Sequence, residues 1–267
     1  MVKIREAHTL GAELRADPRA ILARIPTLGE ARDSPRLLQA LTRVRQTLAP
    51  AGNPEQRFAA ALDILETLAG LGLDEEALVA GLFCVPLLDA RIGLAAIRES
   101  EGAGCERLLA GVQRMEVLRL AGEEGAARGS LASRQRQGER LRRMLVALID
   151  DPRVALVKLA ERVQALRALS PRDEGEDAVA LAREVMDIYA PLAHRLGVGQ
   201  IKWEIEDLAF RHLHPAEYRR IAELLHERRA DRERLIDEAS ERLSWALQDA
   251  GLRAEVSGRA QHLYSIW

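Results

Sequence analysis

Six histidines, two cysteines and a scatter of carboxylates are the side chains of this 267-residue chain suited to holding a metal or moving a proton. The histidines are His8, His194, His212, His214, His226 and His262. No imidazole falls between His8 and His194, so a Ser-His-Asp, Cys-His or HExxH arrangement is excluded from that long stretch. Cys84 and Cys105 each stand alone among apolar or small residues, without the CxxC spacing of a zinc ribbon or a disulfide framework. They read as reduced, buried thiols. No Walker loop and no dinucleotide-binding glycine pattern occurs.

The carboxylates have ordinary explanations as well. Asp150-Asp151-Pro152 stands where a helix begins, the usual place for capping acids. Glu161 follows Lys158 by three residues on a helix whose other face carries Leu156, Leu159, Ala160 and Val163, and an i,i+3 ion pair accounts for it. Asp89 closes GLFCVPLLD, Gly81 to Asp89, an apolar run that reads as the core of a buried helix. Arg134, Arg136, Arg140, Arg142 and Arg143 make the strongest local positive charge. That stretch is either a solvated helix face or a contact for an anion or RNA, and no aromatic stacking residue is interleaved. The chain as a whole carries a net charge of -2, which gives no global attraction to nucleic acid or an acidic membrane.

These residues must be positioned by helices. Hydrophobic residues make up 48% of the chain and aromatics 3%, a Leu- and Ala-rich profile with frequent Arg and Glu that favours helix over sheet. Helical periodicity predicts segments at about 9–17, 35–49, 55–70, 74–88, 90–98, 105–120, 138–149, 152–169, 176–195, 200–212 and 215–249. The stretch GEEGAARG, 122–129, reads as a loop. The last helix, with Pro215 at its first turn and a polar middle HERRADRER, would be about 50 Å long and fits a bridge packed only at its two ends. After Gly251, LRAEV alternates as a strand does. The chain reads as a fragment that stops shortly into a further domain. It carries neither a span of about 20 apolar residues nor a signal-peptide h-region in MVKIREAHTL, so the expected location is the cytoplasm and no membrane is expected as partner.

Three stretches carry a family resemblance. DPRVALVKLAER, 151–162, resembles the helix after the catalytic loop of RelA/SpoT-type alarmone enzymes. IYAPLAHRLG, 188–197, and KWEIEDLAFRHLHPAEY, 202–218, are similar to the same family nearly word for word. GRAQHLYSIW, 258–267, resembles the opening motif of its synthetase domain. The resemblance implies an N-terminal all-helical HD-type hydrolase that degrades (p)ppGpp with manganese. It also implies a following α/β synthetase that transfers pyrophosphate from ATP to GDP or GTP.

Carried onto this chain, the resemblance leaves the hydrolase without its ligands. The family's His-Asp pair falls at Cys84 and Val85, and its Glu-Asp pair at Leu88 and Asp89. The late Asp falls at Glu161 and its companion Asn at Ala165. The first His falls near Phe58 to Ala60, where none exists. Only Asp89 is unchanged. Imidazole and carboxylate together hold a metal that acidifies a water, and two carboxylates alone lack that set. The resemblance therefore points to the RelA branch, a synthesis-only enzyme with a degenerate hydrolase domain. An unconventional hydrolase built on Asp89, Glu161 and Cys84, or a ribosome- or RNA-binding module, stands as the alternative.

The implied architecture is all-α: a degenerate HD lobe over 1–195, connecting helices over 196–250, and the first strand of a truncated α/β synthetase over 251–267. Arg259, His262 and Ser265 match synthetase motif positions, Arg259 one that binds donor-nucleotide phosphates, while Gln261 stands where Lys is common. No cofactor is expected for this stretch itself. Mg2+ with ATP and GTP is expected for the rest of the synthetase. The implied partners are the synthetase domain in cis, the ribosome and tRNA, with a homo-oligomer open.

Overall fold

The structure, a computed structural model, describes residues 17–126, 151–170, 175–227, 229–254, 256 and 262–267. The expected helix at 138–149, the Arg134–Arg143 stretch, most of the one at 9–17, and Arg259 and Gln261 lie outside the described residues. In chain order the helices are α1 (Pro18–Leu22), α2 (Pro35–Leu48), α3 (Pro54–Gly70), α4 (Glu75–Leu88), α5 (Leu94–Glu101), α6 (Ala103–Ala126) and α7 (Pro152–Ala168). They continue as α8 (Glu176–Glu184), α9 (Ala190–Arg195), α10 (Gly199–Leu213), α11 (Pro215–Glu227), α12 (Arg229–Asp249) and α13 (Leu263–Ile266). A 3-10 segment, Pro26–Asp33, joins α1 to α2.

Local chemistry explains most boundaries. Proline opens α2, α3, α7 and α11, where its missing N–H has no intrahelical acceptor to lose. Side-chain caps complete several of these turns: Ser34 Oγ accepts from Leu37 N at 3.2 Å, Asp74 Oδ1 from Ala77 N at 2.9 Å, and Asp151 Oδ1 from Arg153 N at 2.9 Å. At the far end of α4, Ala90 adopts φ 54°, and its N–H reaches Leu87 O while Arg91 N reaches Pro86 O. That is a Schellman closure with alanine in the place glycine usually takes. Between α8 and α9 the residues Val185–Tyr189 form a π turn just ahead of Pro191, whose ring prevents the regular i−4 hydrogen bond.

α4 lies at the centre and packs on α2, α3, α6 and α7. It is apolar on every side, as a helix enclosed by others must be. Gly81 lets α3 cross it closely, because a Cβ there would sit 2.4 Å from Leu68 Cδ1. Gly111 does the same between α6 and α7, where a Cβ would meet the Val154 methyls at 2.7 Å. One continuous core runs from Ile21 to Ala209, so α10, through Ile201, Ile205, Leu208 and Ala209, belongs to the same packed body as α4.

Three expectations are corrected. Residues 252–254 and 256 are not in a strand, because no strand among the described residues lies beside them to pair with. The stretch 122–126 continues α6 rather than opening a loop, since Leu120, Ala121, Glu123, Glu124 and Ala126 carry the helix through two glycines. The 215–249 segment is helical over Pro215–Glu227 and Arg229–Asp249, and its far end, expected to be packed, leaves Leu235, Leu243 and Trp245 exposed within this chain.

Candidate functional site

The positions singled out in the sequence come from α3, α4 and α7, which pack on one another. On α4, Cys84 is completely buried, Val85 is buried and Leu88 is half-buried, all within the apolar core. Burial, reinforced by the nearby Glu161 carboxylate, pushes the Cys84 thiol up to about 12. It stays protonated at neutral pH. On α3 the position expected for an imidazole holds Phe58, buried, with the Arg45 guanidinium 6.0 Å from its ring centroid. Asp89 caps the end of α4, and its Oδ1 lies 3.1 Å from Arg57 Nη1.

α7 faces this apolar wall with charge. Lys158 is completely buried, and its Nζ lies 2.5 Å from Glu116 Oε2 of α6 and 2.9 Å from Glu161 Oε2. Arg162 donates from Nε to Glu161 Oε2 at 2.7 Å and from Nη2 to Glu161 Oε1 at 2.6 Å. Its Nη1 lies 3.6 Å from Glu184 on α8. Burial alone would raise the Glu161 carboxyl, but Arg162 and Lys158 together outweigh it and hold Glu161 below the usual carboxylate range. The Tyr189 phenol beside this group is pushed up by burial. Ala165, one turn on from Glu161, offers only a methyl group.

A divalent metal does not fit these residues. Val85, Leu88 and Ala165 have no donor atom, and Cys84 is held as a neutral thiol. Both oxygens of Glu161 are already engaged by cationic nitrogens, and Asp89 faces Arg57. Among the described residues no three His, Cys, Asp or Glu side chains gather as a metal site. The structure brings Cys84 and Glu161 into one electrostatic neighbourhood, and α3, α4 and α7 supply no imidazole to it.

A second polar group binds the far end of α7. Arg167, buried, donates from Nη1 to Asp63 Oδ1 at 2.6 Å and to Thr67 Oγ1 at 3.1 Å, and from Nε to Glu204 Oε1 at 2.7 Å. It ties α3, α7 and α10 together. Sequence reasoning missed this group, because only the separate helical faces, not their meeting, are visible in the chain.

The C-terminal residues dock on α10 and α11. Asp207 Oδ2 accepts from Leu263 N at 3.2 Å and its Oδ1 from Tyr264 N at 2.8 Å, capping α13. His262, buried, places Nε2 3.1 Å from Glu206 Oε2, which also lies 2.9 Å from Lys202 Nζ. Ser265 Oγ donates to His262 O at 3.1 Å and lies 3.2 Å from His262 Nδ1. Phe210, His214, Tyr264 and Trp267 stack around them, His214 and Trp267 with centroids 4.5 Å apart. Of the three synthetase-motif residues, His262 is thus enclosed and Ser265 exposed, and Arg259 is outside the described residues.

No helix among the described residues is long and apolar enough to cross a membrane. The HD-domain family model matches residues 39–199. The chain is similar to the GTP pyrophosphokinase of Escherichia coli K12, 44% identical over 207 residues that cover 77% of this chain and 27% of that protein. The GTP pyrophosphokinase of Haemophilus influenzae is 40% identical over 206 residues, again 77% of this chain and 27% of the relative. That of Myxococcus xanthus is 36% identical over 206 residues, 77% of this chain and 26% of the relative. The chain spans about a quarter of the length of the curated relatives it matches.

Proposed function

We propose, from the premise that this chain belongs to the HD-domain family, that it is the catalytically silent, regulatory N-terminal region of a GTP pyrophosphokinase. Its relatives of that name support a role in (p)ppGpp metabolism. In this reading the parent protein transfers pyrophosphate from ATP to GTP or GDP with Mg2+, working with the ribosome and tRNA in the cytoplasm.

One observation carries the silence of the HD lobe: hydrocarbon and an unionised thiol occupy the α4 positions, while Lys158 and Arg162 neutralise the one carboxylate that α7 supplies. A hydrolase must deliver an activated water to a pyrophosphate ester, and a metal held by imidazole and carboxylate is how the HD fold does so. Here those donors are replaced by packed core. What survives is the scaffold, which supports a regulatory role.

Incubating the purified chain with ppGpp and Mn2+ tests this. The expected result is no release of pyrophosphate above the protein-free control, for the chain itself and for Asp89→Ala alike. Manganese-dependent hydrolysis that Asp89→Ala abolishes would overturn the reading.

A further inference from the structure

α7 is held by an arginine near each end, and the two differ in how far water reaches them. Arg153 and Arg167 are separated by about 21 Å of helix, at about 1.5 Å per residue. At the C-terminal end, Arg167 and Asp63 leave 3% and 4% of their side chains exposed. At the N-terminal end, Arg153 leaves 28%, and its partners Asp74, Glu76 and Asp151 leave 55%, 30% and 34%. We infer that α7 is fixed at Arg167 and latched at Arg153. The Arg153 guanidinium gathers the starts of α4, α6 and α7 into one junction, and that junction opens as a unit when its charges are screened.

The junction is built from helix caps. Asp74 Oδ1 caps α4 by accepting from Ala77 N, while its Oδ2 accepts from Arg153 Nη1 at 2.6 Å. Asp151 Oδ1 caps α7 by accepting from Arg153 N, while its Oδ2 accepts from Arg153 Nε at 3.0 Å and Nη2 at 2.6 Å. Nη1 also donates to Glu76 Oε2 at 3.3 Å. Glu76 brings in α6, because its carboxylate lies over the first turn of that helix, where a Cβ on Gly104 would overlap it. Three helix starts, each with a partial positive charge of about half an elementary charge, thus meet three carboxylates that share one guanidinium. The Arg153 fork holds the Asp151 carboxyl below the usual carboxylate range, so this pair stays ionised at neutral pH. A planar fork reaches several acceptors in fixed directions, which the point charge of an ammonium does not.

Exposure decides which end yields. The Debye length shrinks from about 10 Å at about 0.1 M salt to about 3 Å at about 1 M, and buried pairs are screened much less than exposed ones. Arg167, enclosed by Asp63, Thr67 and Glu204, is shielded from that change, and Arg153 is open to it. Asp74 and Asp151 each hold a helix start with one oxygen and Arg153 with the other, so loss of the guanidinium loosens both caps together.

Amide hydrogen exchange of the chain at rising NaCl concentration tests the latch. From about 0.1 M to about 1 M, the Ala77, Glu106 and Val154 amides at the three helix starts are expected to exchange about threefold faster, the scale of an exposed ion-pair set. The Val163 and Leu166 amides toward Arg167 keep their rates. Arg153→Ala is expected to show the faster rates at every salt concentration, and Arg153→Lys, with the charge but not the fork, to fall between. Gly104→Ala, a change that ordinarily favours a helix, is expected to speed the Glu106 amide by displacing Glu76 while Val154 stays protected. Rates at the three starts that ignore salt overturn the latch. Equal acceleration at Val163 and Leu166 overturns the fixed end at Arg167. Release of Val154 alone in Arg153→Ala, or an undisturbed Glu106 in Gly104→Ala, overturns the three-helix junction and leaves Arg153 a local cap. The salt series on the unsubstituted chain and the Lys variant decide the latch even where Arg153→Ala fails to fold.

Discussion

α7 and α12 invert the usual rule of what lies inside and what lies outside. α7 buries Lys158, Glu161 and Arg167, whereas α12 leaves Leu235, Leu243 and Trp245 at 61%, 52% and 69% exposure. Composition alone would have assigned them the other way. The difference lies in their neighbours. α7 is surrounded by helices that bring Glu116, Glu184, Asp63 and Glu204 to its charges, and each cation finds a carboxylate within 4 Å. A buried ion is tolerated only when paired and hydrogen-bonded, and α7 meets that condition throughout. The apolar residues of α12 face no such enclosure. Burial is decided by what the fold brings alongside, and the side chain itself only sets the cost of being wrong.

The comparison breaks most visibly at Lys158. Lys158→Met leaves Glu116 and Glu161 facing each other without their shared cation, and about 3–5 kcal/mol of stability is expected to go, read from urea unfolding by circular dichroism. An unchanged midpoint would mean that the charges of α7 are not held as a paired set. Adding Glu116→Gln to Lys158→Met removes one of the stranded carboxylates and is expected to recover about 1 kcal/mol or more, a coupling within the 0.5–3 kcal/mol typical of contacting residues. Strict additivity of the two substitutions would sever the Lys158–Glu116 link.

Acid sharpens the same point. Glu161 has a folded-state pKa below its unfolded value, so its contribution is fully present above the unfolded value of about 4.3 and is lost as pH falls through the folded one. Unfolding midpoints are expected to fall steadily below pH 4, and Glu161→Gln, weaker at pH 6, is expected to lose less over that range. Parallel curves for the two proteins would contradict the assignment. The smallest effect belongs to α12. Leu243→Glu with Trp245→Glu is expected to change the midpoint by no more than about 0.5 kcal/mol, as exposed sites do. A large loss would show that this helix is packed after all.

Much of the fold was legible in the chain. The apolar period, with the acids before Pro152, placed α2, α3, α4 and α7 within a few residues of where they lie. The ion pair of Lys158 with Glu161 was legible too, because i,i+3 neighbours are set by the helix itself. The strand at 252–256 is not seen: alternation reports a face, a strand needs a partner edge, and no strand among the described residues offers one to 252–254 or 256. Nor was the nakedness of α12 readable, since an apolar stripe looks the same whether covered or bare.

By itself the sequence determined what α4 can never do. Val85 and Leu88 on α4 and Ala165 on α7 carry no donor atom, and without a histidine from 9 to 193 no imidazole can come from α2, α3, α4 or α7. Only the tertiary structure decided where the remaining charge goes. Lys158 meets Glu116 across 42 residues of chain, Glu206 meets His262 across 56, and Arg167 meets Asp63 across 104. A helical period states which residues share one face of one helix. Which faces meet is settled by packing among several helices, and there alone Lys158 meets Glu116 and Asp207 becomes the cap of a distant helix.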